Sequence, residues 1–140
     1  MSLFQALSPG AARVGPGLSA MVLGRARSEG VRLAANEIAA LGGTVEQEDE
    51  MFTALSAVID DPTGYGLFVM DCDGYGGLAA GRTAFAMLGG LTERIAVILI
   101  ADDCPAQSIS DDRAAPMLLR PPLSSAALEQ ALSGRRWLAA

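Results

Sequence analysis

Four carboxylates and one guanidinium supply most of the chemistry this chain can offer. The stretch "VMDCDG" (69 to 74) ends an apolar run on Asp71 and adds Asp73 two residues later, and "ILIADD" (98 to 103) ends another on Asp102 and Asp103. Oxygen ligands of this kind suit Mg²⁺, which commonly takes one or two carboxylates together with phosphate. Asp71 is the most informative of the four. A charged group placed directly after a buried run is costly unless it is paired or opens into a crevice. Arg120, followed by Pro121 in "MLLRPP" (117 to 122), stands at the matching end of a later apolar run. Its guanidinium stays charged and fits a carboxylate or phosphate with two prongs, so Arg120 is the expected partner of Asp71.

Much other chemistry is excluded. The chain has 10 basic residues and no histidine, and every basic residue is an arginine. It therefore cannot build a Ser-His or Cys-His nucleophile, a histidine-ligated metal, a Schiff-base lysine or a P-loop lysine from its own residues. The net charge is −6, without the basic stripe that nucleic-acid binding leaves, so no nucleic-acid partner is expected.

The elements that position these residues alternate. "LSAMVLG" (18 to 24) reads as a buried strand, and Ser28 caps a helix whose apolar residues Val31, Ala34, Ile38 and Leu41 recur at helical spacing. "TVEQ" (44 to 47) reads as an edge strand. Met51, Phe52, Leu55, Val58 and Ile59 give a second amphipathic helix, and "GLFVMD" (66 to 71) a third strand. Leu78, Phe85, Leu88 and Leu91 follow a helical period, and "IAVILIA" (95 to 101) is apolar throughout, as a strand covered on both faces must be. Residues 102 to 115 are expected to hold one short or irregular helix. "PMLLR" (116 to 120) is a last strand, and Ser124 or Ser125 caps a last helix bearing Ala127, Leu128, Ala131 and Leu132. Five strand-helix alternations predict an α/β domain with a parallel sheet, right-handed crossovers and a functional crevice beyond the carboxyl ends of the strands.

Five such units, with Asp71 ending the third strand and the pair Arg120-Pro121 ending the fifth, resemble the receiver domain of bacterial response regulators, across roughly residues 17 to 134. The resemblance implies a flavodoxin-like three-layer sandwich with a five-stranded parallel sheet in the order 2-1-3-4-5 and helices on both faces. It also implies that Asp71 occupies the place of an aspartate phosphorylated by a histidine kinase. Other family features are replaced. Gly24 and Arg25 stand where the family keeps an acidic pair for Mg²⁺. Ala101 stands at the switch hydroxyl, Met117 at the switch aromatic and Arg120 at the fifth-strand lysine. Without a metal to neutralise charge, phosphoryl transfer onto a carboxylate is disfavoured. The expectation is a degenerate, non-enzymatic pseudo-receiver with no cofactor that acts through a protein partner, a histidine kinase or a downstream effector.

Three alternatives stay open at this stage. Asp71 could be a working phosphoacceptor, with Mg²⁺ held weakly by Asp71, Asp73, Asp102 and Asp103. "VMDCDG" and "ILIADD" also resemble the nucleophile and late acidic motifs of haloacid-dehalogenase phosphatases, although that family's nucleophile strand opens its domain and here two βα units precede it. "GYGGLAAG" (74 to 81) could cradle a nucleotide phosphate, but the spacing is not that of a dinucleotide fingerprint and Asp71 would repel the anion.

Cys72 and Cys104 are expected to be free thiols, since two cysteines make no secreted disulfide framework. No apolar stretch reaches membrane-spanning length and "MSLFQALSPG" lacks a basic leader, so a cytoplasmic protein without membrane contact is expected. Residues 1 to 16 read as a flexible extension and 135 to 140 as a tail. Trp137 beside Arg135 and Arg136 marks, with residues 102 to 134, the surface expected to form a homodimer or to dock a partner.

Overall fold

The computed structural model describes residues 19–109 and 114–132. Five strands, β1 (Ser19–Leu23), β2 (Thr44–Glu48), β3 (Leu67–Asp71), β4 (Ala96–Ile100) and β5 (Met117–Leu119), form one sheet. All pair in parallel, in the order β2-β1-β3-β4-β5. That is the strand order of flavodoxin-like folds, with its reversal between β1 and β3.

Four helices cover the sheet: α1 (Glu29–Ala40), α2 (Met51–Asp60), α3 (Leu78–Leu88) and α4 (Ser125–Leu132). Strand side chains alternate between two apolar layers. Val22, Val69, Ile98 and Leu119 face α1 and α4. Met21, Phe68, Leu99 and Leu118 face α2 and α3. The central strands are therefore apolar without interruption, whereas β2, an edge strand with the sequence TVEQE, has no fully buried residue.

The helix ends follow from local chemistry. Ser28 Oγ accepts the Val31 amide at 3.1 Å and caps α1. At the other end Gly42 adopts φ 88°, and the amides of Gly42 and Gly43 return to the carbonyls of Ala39 and Ile38 at 2.9 and 3.0 Å. This is a Schellman stop, and it needs a residue free to enter the left-handed region. Glu50 caps α2 through the amides of Phe52 and Thr53, and Ser124 caps α4 through Ala127.

Two expectations about elements are corrected. Phe52 and Ile59 do not belong to the buried face of α2; they are 59% and 43% exposed. The buried stripe runs through Ala54, Leu55 and Val58, and residues 52 and 59, seven apart, lie together beside it. Nor do the described residues between β4 and β5 contain a helix. Instead Ser108 forms an antiparallel bridge to Leu118, with both backbone hydrogen bonds made at 2.9 and 2.8 Å. "CPAQS" carries a proline and no apolar period, and pairing its backbone to β5 satisfies groups that a helix would otherwise have satisfied.

No helix among the described residues is long and apolar enough to cross a membrane. Trp137, Arg135, Arg136 and the extension before Ser19 lie outside the described residues, so the proposed C-terminal docking surface is described only up to Leu132.

Candidate functional site

Asp71 is half-buried at the end of β3 and belongs to the α1 face, two positions beyond Val69. Its neighbour on β1 is Gly24, because Leu23 pairs with Met70 one step earlier. A side chain at Gly24 would run into Val31 Cγ2 of α1 and lie 3.2 Å from Asp71 Cβ. The missing side chain lets α1 settle onto the strand ends. Gly30, in the first turn of α1, continues this approach: a Cβ there would sit 3.4 Å from Asp71 Oδ2.

Consequently Ser28, at the tip of α1, reaches Asp71. Its hydroxyl donates to Asp71 Oδ2 while the same oxygen accepts the Val31 amide. Asp71 Oδ1 accepts the Asp73 amide at 3.4 Å, a long contact. One serine thus caps a helix and supplies the hydrogen bond that a half-buried carboxylate requires.

The expected pairing of Asp71 with Arg120 is not formed. No ion pair joins them; Arg120 is exposed, and its backbone N–H donates to Gln107 Oε1 at 3.3 Å. The reason is sheet geometry. Asp71 is in register with Ile100, and Ile100 with Leu119, so Leu119 shares the row of Asp71. Two strand spacings, about 10 Å, already separate these positions. Arg120 is one residue further, where alternation directs a side chain to the opposite face.

The other carboxylates serve the backbone. Asp73 accepts the Asp102 amide at 3.0 and 3.2 Å, closing the loops after β3 and β4 against each other. Asp103 Oδ1 accepts the Leu78 amide at 2.9 Å. It caps α3 from another loop, where the residue preceding the helix, Gly77, has no side chain to do so. Among the described residues no group of three or more carboxylate or thiol side chains is placed to hold a metal ion, so the envisaged Asp71, Asp73, Asp102 and Asp103 cage is not assembled.

Arg25, next to Gly24, folds over the Tyr75 ring with 4.6 Å to the centroid and donates to Gly74 O at 3.1 Å. Tyr75 in turn donates to Asp49 O at 2.6 Å. The loops after β1, β2 and β3 are thereby tied together on the α2 side. Burial pushes the Tyr75 phenol up, opposed by the Arg25 charge. Ala101 and Met117, the expected switch positions, are both buried, and the Ala101 amide donates to Leu119 O at 3.1 Å.

Cys72 and Cys104 are unpaired and buried in the layer under α3. Burial, reinforced by Asp71, holds the Cys72 thiol up at about 12, and Cys104 is raised for the same first reason. Within the glycine-rich stretch Gly81 is buried, and a Cβ there would meet Cys72 Sγ at 2.5 Å. It lets α3 pack closely on the sheet.

Between α1 and the segment after β5 lies a crevice of about 500 Å³. Ser28, Glu29 and Leu33 line it from the α1 side, Pro121, Pro122 and Leu123 from the other, and Asp71, Asp73, Ile100 and Asp102 at the strand ends. Searches of protein-family models, curated proteins and solved structures return no match to this chain.

Sequence reasoning placed Asp71 at the mouth of this crevice but missed Ser28 as its partner and Asp103 as the cap of α3. Ser28 was legible only as a cap. That its second hydrogen bond reaches Asp71 depends on how far α1 sinks, and the signal for that is the lone Gly24 ending β1.

Proposed function

We infer that this chain is a receiver-like signalling module of degenerate type, which works by binding a protein partner and in which Asp71 serves the fold instead of accepting phosphate. The observation that carries the reading is the set of groups around Asp71. One oxygen accepts the Ser28 hydroxyl and the other has only a long contact with the Asp73 amide, while the neighbouring strand end, Gly24, has its side-chain space filled by Val31. A carboxylate must approach a phosphoryl group as a free nucleophile, with a cation to offset the repulsion of like charges. Here Ser28 holds one oxygen of that nucleophile, and Asp73 and Asp103 already accept backbone amides. Strand order, Asp71 at the end of β3 and Arg120 at the end of β5 support the receiver likeness. The same features weigh against a phosphatase of the haloacid-dehalogenase kind, which would need the same nucleophile and metal.

The test is incubation of the full chain with acetyl phosphate and Mg²⁺, followed by intact-mass measurement at acidic pH, beside an assay for hydrolysis of an aryl phosphate. The expected result is an unchanged mass and no hydrolysis above buffer. A stoichiometric phosphoryl adduct that disappears in Asp71→Asn would restore a working phosphoacceptor. Hydrolysis lost in the same variant would favour the phosphatase.

A further inference from the structure

The outer surface of α2 and α3 is apolar where the fold does not require it. Among the described residues only three large apolar side chains are exposed, Phe52, Ile59 and Met87, and all three belong to these two helices. We propose that this face is a contact between two copies of the chain, in which the bulky row on α2 of each copy packs on a row of small residues on α3 of the other. The contact does not depend on the state of Asp71.

α2 and α3 lie side by side on one face of the sheet and touch. Crossovers between parallel strands are right-handed, and that hand, with the sense of an α-helix, fixes which flank of each helix is turned to the other. Phe52 and Ile59 lie on the flank of α2 toward α3, pointing outward, and Met87 lies on the flank of α3 toward α2. Outermost on α3 are Ala79, Thr83 and Ala86, all exposed. One face thus carries a ridge with a low strip beside it.

Ridge and strip share a spacing. Phe52 and Ile59 are the second and ninth residues of α2, and Ala79 and Ala86 the second and ninth of α3. Both helices start beyond the carboxyl ends of strands, so equal positions stand at similar heights. A two-fold axis parallel to the helices, running between the copies, lays α2 of one over α3 of the other without reversing direction. Phe52 then meets Ala79 and Ile59 meets Ala86, each contact occurring twice, as a self-complementary interface requires.

Charge singles out the same face for contact with a second copy. Identical surfaces that meet bring identical charges together, and the chain carries a net charge of −6. Exposed acids stand on other surfaces, among them Glu29 on α1, Glu46 on β2, Asp102 after β4 and Glu129 on α4. The exposed positions of α2 and α3 hold one acid, Asp60, and one base, Arg82, so their sum is zero. A charge-poor centre with an aromatic residue and a methionine has the composition of an interface core. The described part of the surface formed by residues 102 to 134 has no exposed large apolar side chain. Two helices about 15 Å long and about 10 Å apart give a footprint of roughly 300 Å² per copy, small beside the ~800 Å² per partner of a stable complex. The dimer is therefore a transient one.

The experiment is sedimentation equilibrium of the full chain at protein concentrations up to about 1 mM, where a weak dimer becomes populated. The parent is expected to show reversible association. Ile59→Lys and Ala86→Glu, both at exposed positions, should each weaken it at least about tenfold, because each spoils both symmetric contacts. Ala126→Glu adds the same charge at an exposed site on α4 and should leave association within about twofold of the parent. Mixing Ile59→Lys with Ala86→Glu sets lysine against glutamate at one contact and leaves the other as in the parent. The two variants should therefore bind each other about as tightly as the parent binds itself, with amide shifts in α2 of the one and α3 of the other.

A parent that stays monomeric would overturn the proposal. So would association that survives Ala86→Glu, which would place the contact on another face, and so would variants that fail to bind each other, which would refute the two-fold pairing. Phosphorylation of Asp71 in the mass assay would sink the reading of Asp71 and leave this result standing.

Discussion

Ser28 is the position at which the account of Asp71 can be broken. Ser28→Ala removes two things together: the cap on the Val31 amide, worth about 1 kcal/mol, and the hydroxyl that Asp71 Oδ2 accepts. A hydrogen bond to a charged group contributes about 1.5–3 kcal/mol. Asp71 is only half-buried, so water recovers part of that and the lower figure applies. The total expected loss is about 2.5 kcal/mol. Asp71→Ala gives up the same bond and the weak contact with the Asp73 amide, but it also removes the charge that needed a partner. Its cost is about 1.5–2 kcal/mol.

Because one bond is counted in both single variants, the double variant should cost less than the two together by about 1.5 kcal/mol. Urea unfolding of the four proteins, followed by circular dichroism, measures this. The slopes must agree across the set if only the folded state is altered. A coupling below about 0.5 kcal/mol would refute the reasoning, since the contact would then be one that water replaces without loss. So would an Asp71→Ala protein more stable than the parent, which would mark Asp71 as a strained functional carboxylate.

The remaining predictions follow from the same geometry. Gly24→Asp, which places an acidic residue beside Asp71, should destabilise by about 1–3 kcal/mol by overpacking, and Val31→Ala in the same chain should recover part of it, as read by thermal unfolding. Asp103→Ala should cost about 1 kcal/mol through loss of the α3 cap, with faster amide exchange confined to the first turn of α3. Both thiols should resist Ellman's reagent in the folded protein and titrate fully in denaturant. With the folded Cys72 thiol held at about 12 and an unfolded value near 8.5, the unfolded state loses its proton first. Stability is then full below about pH 8.5 and falls as pH rises toward 12, by at most about 1.4 kcal/mol per unit for this group. Urea midpoints between pH 8 and 11 should fall less steeply in Cys72→Ala.

What the sequence disclosed and what it concealed divide along a physical line. The central strands were legible because a strand covered on both faces must be apolar throughout, and "AMVL", "LFVM" and "AVILI" admit little else. Ser28 and Gly42-Gly43 announced both ends of α1 through backbone demands that few residues meet. Phe52 and Ile59 misled because helical spacing alone does not say which of two adjacent stripes faces inward. Arg120 misled for a different reason. Standing at the end of a strand says nothing of face or row, and those depend on register, a relation between segments distant in sequence. Asp103 was hidden because a cap supplied from another loop leaves no local pattern beside the helix it closes.

A single glycine organises the rest. With no side chain at Gly24, Val31 occupies the space beside the end of β3, and α1 comes down far enough for Ser28 to reach Asp71. Any side chain at 24 would overlap Val31, so either Val31 or the first turn of α1 would have to move. Gly24 therefore leaves its side-chain space to Val31. Once Asp71 is tied down on that side, Asp73 and Asp103 are available to pin the loops after β3 and β4. Asp102, exposed, lines the crevice beside them. The carboxylates at the ends of β3 and β4 thereby fix two loops and the start of α3 relative to one another.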